Sequence, residues 1–311
     1  GDGELNAGNC YQVFYHPATT ALDATAVLDG FVITGGNANG QNPHHCGGGM
    51  YNDGSSPTVR NCVFAGNNAS WDGGGVLTRN STTGFSNCEF RNNSSDGRGG
   101  GLSGTSSTIG LADCTFTDNV AVSEGGGARF WNSGPCVIEN CTFSSNNAFR
   151  GGGISAGDST ILLSHCDFVG NTGSGTNSAG GGIYNQHNTK GEAGIVDSCV
   201  FRENTAQSGG GIANYSVADP LIVNCLFQAN TAIRYGGGVA NGGSARPAVF
   251  NCTLQGNAAT HGGGIANVLG DDEKVTVTNC ILWDNTPADS QILQGPIEVS
   301  HSCIQGGYAG A

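Results

Sequence analysis

Basic residues are scarce: 11 Lys plus Arg stand against 24 Asp plus Glu, for a net charge of −13 over 311 residues. That balance excludes the basic footprint of nucleic-acid binding and sets the chain against an anionic membrane surface. No apolar run approaches the ~18–20 residues of a spanning helix. No long window carries apolar residues at the 3.6-residue period of an amphipathic helix. Only 11% of residues are charged, and 55 are glycine, a poor composition for helices, where glycine is among the weakest formers. The chain opens on Gly1 with no signal-peptide pattern after it, as a processed mature chain would. A glycine-rich composition alone is compatible with disorder, so the order of the residues has to decide.

That order is a repeat. Gly-Gly-Gly returns nine times, starting at Gly47, Gly73, Gly99, Gly125, Gly151, Gly180, Gly209, Gly236 and Gly262. The steps are 26, 26, 26, 26, 29, 29, 27 and 26 residues. A fixed period in this range means a solenoid, in which each repeat buries its apolar side by stacking on its neighbours. Cysteine recurs in phase from Cys62 to Cys280, followed two residues later by Phe64, Phe90, Phe116, Phe143, Phe168, Phe201, Phe227, Leu254 or Leu282. An i, i+2 pair is strand spacing with both side chains on one face. Three residues before each cysteine comes a further apolar residue, such as Val59, Phe85 or Leu111. The odd spacing places a bend between two short strands, commonly at Asn or Asp, which tolerate left-handed backbone.

Three residues past each Phe or Leu stands an asparagine, from Asn67 to Asn285, placed to hydrogen-bond along the axis. After the glycines comes a third apolar row, Met50, Val76, Leu102, Ile154, Ile183, Ile212, Val239 and Ile265. The expected fold is all-β: a right-handed parallel β-helix of about ten coils of roughly 26 residues, with three short strands per coil. Coils ~4.8 Å apart would make a rod roughly 50 Å long. The whole chain, 1–311, reads as a single β-helix domain: an irregular start or partial first coil over 1–25, regular coils over 26–287 and a degenerate last coil over 288–311.

Thirteen cysteines in a secreted chain ordinarily suggest disulfides. Here at least nine occupy one repeating inward position, where cysteine serves as a small hydrophobe, and Cys136 falls at another. Free, buried thiols are therefore expected along the row. Cys10 and Cys46 lie outside it, and a bridge between them stays open. Residues 1–25 offer no amphipathic helix to cover the first coil. Two expectations follow: the chain is the middle of a larger protein, or its ends are met by other copies, end to end in a filament.

The motifs Gly-Gly-Gly-Ile and Phe-x-x-Asn resemble those of bacterial surface β-helix proteins of the pectate-lyase-like superfamily. They are most similar to the Gly-Gly-Ala-Ile and Phe-x-x-Asn repeats of polymorphic outer-membrane proteins. The stretch Leu28-Asp29-Gly30-Phe31-Val32-Ile33-Thr34-Gly35-Gly36-Asn37-Ala38 resembles the first coil of large secreted repeat proteins. The resemblance covers about 26–287 and implies a passenger or adhesin domain at the cell surface.

Candidate chemistry is thin. Lys190 and Lys274 could serve proton abstraction, but each has a carboxylate neighbour, Glu192 and Glu273, and salt bridging or solvation is the simpler role. Glycoside hydrolysis needs two facing carboxylates, and no coil repeats such a pair on neighbouring strands. The run Asp271-Asp272-Glu273 could bind Ca²⁺ weakly, yet reads as a solvated turn. His44-His45-Cys46 offers two or three local ligands without identified partners and reads as a loop. Asn80-Ser-Thr, Asn140-Cys-Thr and Asn251-Cys-Thr match the glycosylation pattern, the last two as by-products of the repeat.

Two features are more specific. Asp72, Arg98, Glu124 and Arg150 precede successive glycine triplets and should stack as an exposed ion ladder of alternating sign. Exposed pairs contribute only ~0–1 kcal/mol each, so the ladder would set register. The period also lengthens between Cys166 and Cys199, with extra residues around 173–179 and 187–194. Loops on a rigid scaffold carry binding function, and Tyr184, Tyr215, Trp131 and Tyr235 are the candidate recognition residues there. The expected function is a non-catalytic extracellular rod, structural or adhesin-like, self-associating or bound to surface polysaccharide, with no catalytic, metal or cofactor residues assigned. The alternative is a carbohydrate-active β-helix that binds or cleaves polysaccharide. An ice-binding β-helix would need a regular Thr array, and Thr115, Thr142 and Thr253 recur at only some coils.

Overall fold

A computed structural model describes residues 10–187, 194–268, 274–287, 292–293 and 297–307. The described chain winds as a parallel β-solenoid. Three sheets of eleven strands run its length, here termed A, B and C. A fourth sheet, D, has eight strands. One coil reads in order Val76–Arg79 in sheet A, Thr82–Ser86 in B, Glu89–Arg91 in C and Ser94–Ser95 in D. Each strand pairs with its equivalent one coil on, as Phe90 does with Phe64 and Phe116.

The expected three strands per coil are therefore four. Sheet D strands are mostly two residues long, and their inward residues are small: Ala38, Ala69, Ser95, Ala121, Ala148, Ala206 and Ala232. Small residues at the narrow side give no apolar signal of the kind that marks the other three rows.

Four corners separate the four strands, and each corner turns on a residue with positive φ. In the coil above these are Gly73 (70°), Asn80 (51°), Asn87 (50°) and Asn92 (54°). Left-handed backbone costs an ordinary L-residue ~1–2 kcal/mol, which is why Gly, Asn and Asp dominate these positions. The bend expected between the second and third strands is thus confirmed at Asn61, Asn87, Asp113, Asn140, Asn224, Asn251 and Asn279.

The interior is one continuous cluster from Ile33 to Ile297. Phe90 and Phe116 stack with centroids 4.4 Å apart at 1°, and Phe201 and Phe227 at 4.8 Å and 6°. Removing one such ring would cost about 3–5 kcal/mol. The asparagine row is fully buried and closes a hydrogen-bonded ladder: Asn93 Nδ2 donates to Asn119 Oδ1 at 3.0 Å and to the Phe64 carbonyl at 2.8 Å. A second buried ladder, absent from the sequence reading, runs inside sheet A, where Asn185 donates to Asn214 and Asn214 to Asn241 at 3.0 and 2.9 Å.

The thirteen cysteines are free, and all but Cys10 and Cys303 are buried. Cys10 and Cys46 do not pair. Cys136 lies inside on sheet B beside Ile161. At the ends, Phe14–His16 already pairs with the strand beginning at Met50, and Ile297–Ser300 and Cys303–Ile304 extend sheets B and C.

Candidate functional site

The outer face of sheet A differs from the other faces. Its outward residues follow the inward row by one position: Tyr51, Leu77, Ser103, Arg129, Ser155, Tyr184 and Ala213. They point away from the core, yet all are buried. The cause lies in the glycine triplet. Its first glycine, in the left-handed region, folds back on the residue four positions on; a Cβ on Gly125 would sit 2.7 Å from Arg129 Cβ. The row preceding the triplets is thereby folded against sheet A. The result is a strip along the axis, lined by two rows of side chains.

The predicted ion row is in register: Asp72, Arg98, Glu124 and Arg150 form successive parallel bridges. It is not an exposed ladder of ion pairs. Among the described residues the contact in this row within salt-bridge range is Glu124 with Arg129, at 3.7 Å, and Arg129 comes from the sheet face. Arg98 instead lies over the Trp71 ring at 5.8 Å, and Arg150 over Phe149 and Tyr184 at 5.3 Å each. Arg129 is buried, 5.2 Å from the Trp131 ring centre, and donates to Thr105 Oγ1 at 3.3 Å. Burial raises the Asp72 carboxyl, against the pull of Arg129 and Arg98, and lowers the Arg129 guanidinium. Asp72 Oδ1, Ser103 Oγ and Arg129 Nε are buried without a hydrogen-bond partner. The charges tie sheet A to the neighbouring row, and aromatic rings, not carboxylates, hold two of the four.

The 173–179 insertion builds the second feature. Its Asn177 backbone N–H donates to Gln207 Oε1, and Ser178 Oγ accepts from the Gln207 N–H at 3.0 Å. These residues line a pocket of about 130 Å³ together with Ser208, Tyr215, Arg234 and Tyr235. Arg234 lies over the Tyr235 ring at 5.1 Å, and Tyr235 stacks on His261 at 5.6 Å. Among the described residues no carboxylate lines this pocket. Tyr215 meets Tyr184 at 5.7 Å between ring centres.

The four aromatic candidates are thus only partly brought together. Tyr215 and Tyr235 share the pocket. Tyr184 is buried beneath Arg150, its hydroxyl donating to Gln186 at 2.9 Å. Trp131 stands apart, covering Gly157. Arg234 carried no signal in the sequence, where the step from Asn230 to Gly236 is the same six residues as from Asn67 to Gly73; it lies on the five-residue sheet D strand Thr231–Tyr235.

A smaller cavity of about 20 Å³ lies beyond, lined by Ser159, Asn185, His187 and Asp219 among others. Burial holds His187 below its ordinary 6.5, opposed by Asp158 and Asp219.

The other candidates separate. His44 Nδ1 bonds Gln12 Oε1 at 3.0 Å, His45 meets Trp71 edge-on, and Cys46 packs on Tyr51 and Leu77. Among the described residues no group of three or more His, Cys, Asp or Glu could hold a metal ion. Lys274 pairs with Glu298 at 3.6 Å. Lys190, Glu192 and Asp271-Asp272-Glu273 lie outside the described residues.

A family model for the right handed beta helix region matches residues 22–172. With the parallel four-sheet winding, that match defines a right-handed parallel β-helix repeat protein. No curated protein and no solved structure matches the chain.

Proposed function

We propose that this protein is a non-catalytic, adhesin-like rod of the cell surface or extracellular space. It captures a glycan where sheet D meets the outer face of sheet A. The observation that carries this reading is the pocket formed by Tyr215, Tyr235 and Arg234 with the 173–179 insertion. The core-facing sides of the coils are filled by the Phe, Cys and Asn ladders, which serve stability. The insertion sets the amide of Asn177 and the hydroxyl of Ser178 beside the aromatic faces of Tyr215 and Tyr235 on that rigid frame, and sites placed on rigid elements need little ordering on binding. Aromatic faces with a few polar groups suit the apolar faces and hydroxyls of a sugar ring. Acid–base cleavage of a glycoside would call for a carboxylate pair, and the pocket offers phenols and a guanidinium instead.

The test is binding of the purified chain to an immobilised glycan panel, beside the Tyr215→Ala/Tyr235→Ala variant. Specific capture by the native chain, lost in the variant while its circular dichroism is unchanged, is expected. Capture that survives the variant would refute the site. Depolymerisation of a captured glycan would establish the alternative, a carbohydrate-active β-helix.

A further inference from the structure

We infer that the cavity of about 20 Å³ between the sheet A strand Ile183–His187 and the sheet B strand Ile195–Asp197 is a site for one monovalent cation of potassium or ammonium size, bound by Asn185 Oδ1 and the Asp219 carboxylate. It shares no residue with the Tyr215–Tyr235 pocket. The inner amide row of sheet A supplies the first ligand. Asn185 donates to Asn214, and Asn214 to Asn241, so each oxygen along the row accepts from the rung before it. Asn185 is the first of these three, and its partner on the preceding coil is Ala156, which has no amide to give. Asn185 is 4% exposed, lines the cavity, and its Oδ1 has no hydrogen-bond donor among the described residues. The aligned amide dipoles place the negative end of the row at this oxygen.

The rest of the lining is rich in acceptors, and its hydrogens are largely committed elsewhere. Ser159 Oγ donates to the Gly157 carbonyl at 2.9 Å, Val217 N–H to the His187 carbonyl at 3.0 Å, and Pro220 has no N–H. Asp219 Oδ1 accepts the Arg246 N–H at 2.7 Å, while its Oδ2 stands 3.5 Å from the Arg246 guanidinium. Burial holds His187 below its ordinary 6.5, so its ring adds no positive charge at neutral pH, and Asp158 and Asp219 both act on it. A water here could donate twice but would find few donors for its own lone pairs. A cation is satisfied by acceptors alone, which replace its hydration shell. The volume admits one water-sized particle, the size of potassium or ammonium. Calcium needs six to eight oxygens and magnesium keeps several waters, more than this space holds. His187 and Gly194 also line the cavity, so the ion ties together the two ends of the 187–194 insertion.

Two measurements on the whole chain test the site. Thermal melts are compared in potassium, ammonium, sodium and choline chlorides at equal ionic strength. Crystals grown in choline chloride are soaked in rubidium, a potassium substitute with an anomalous signal. The expected results are a melting temperature that climbs and saturates with potassium or ammonium but not with choline, and a rubidium peak beside Asn185 and Asp219. Asn185→Ala should abolish both, whereas Asn241→Ala, at the far end of the row, should keep the peak. A rise with potassium alone identifies a metal ion and a rise with ammonium alone identifies an N–H donor; either supports the site. Equal melts in all four salts, cavity density without anomalous signal, which would be water only, or a peak that survives Asn185→Ala overturns it. If Asn185→Ala does not fold, the rubidium peak and the melts of the native chain decide.

Discussion

Asn146 Nδ2 donates to Asn171 Oδ1 at 3.0 Å, and Asn146 Oδ1 accepts from both the backbone N–H and the side chain of Asn119 at 3.0 Å. Each buried amide therefore joins three coils, because its Nδ2 also reaches back to the Phe116 carbonyl at 2.8 Å. Asn146→Ala would leave several buried polar groups unmatched, each costing ~1–3 kcal/mol. A loss of about 3–5 kcal/mol is expected from denaturant midpoints read by two probes. A loss below about 1 kcal/mol would show that the ladder is not structural.

Glycines divide sharply by position. A Cβ on Gly126 would lie 2.5 Å from the carbonyl oxygens of Asn147 and Gly152, whereas one on Gly84 would meet nothing within 4 Å. Gly126→Ala should therefore unfold or severely destabilise the rod. Gly84→Ala, in the strand Thr82–Ser86, should stabilise it by ~0.5–1 kcal/mol through lost freedom of the unfolded chain. Equal melting shifts for the two variants would contradict the close-packed corner.

Thiol reactivity follows burial. The neighbouring Cys141 thiol and burial push Cys114 up to about 12, and burial pushes Cys136 to about 11. The thiolate is the reactive form. Maleimide labelling of the native chain at pH 7.5 should modify Cys10 and Cys303, the two exposed cysteines, and reach the remainder only in denaturant. Rapid native labelling at Cys114 or Cys141, mapped by mass spectrometry, is the contrary result.

The buried His187 gives a pH dependence of definite sign. Its folded-state pKa lies below the ordinary 6.5. Below pH 6.5 the unfolded chain takes up a proton that the fold resists, so stability should fall as pH falls from about 6.5. His187→Gln should flatten that limb of the melting-temperature profile, and an unchanged profile would show that the histidine is not responsible.

Much of this architecture was legible because the repeat places one residue type at one position in nearly every coil. Phe64 to Phe227 stack as read, and Asn67 to Asn285 close the ladder that their spacing announced. The fourth strand was not legible: a two-residue segment such as Asn68–Ala69 has no periodicity to detect, and its inward alanine carries little hydrophobic signal. The charge row was read correctly in register and wrongly in contacts. Its decisive partner, Arg129, sits on a different strand and turns outward beneath the row, a relation fixed by the left-handed corner at Gly125. The pocket was half legible. The insertion and Tyr215 marked the place, but Arg234 needed the folded path of sheet D to bring it there.

The central claim is that recognition occurs where sheet D meets the outer face of sheet A. Hydrogen–deuterium exchange, with and without a glycan captured in the panel, tests it most directly. The account predicts added protection in peptides spanning 174–186, 207–217 and 234–242, with sheets B and C unchanged. Protection centred on sheets B or C, with those three segments unaffected, would contradict it.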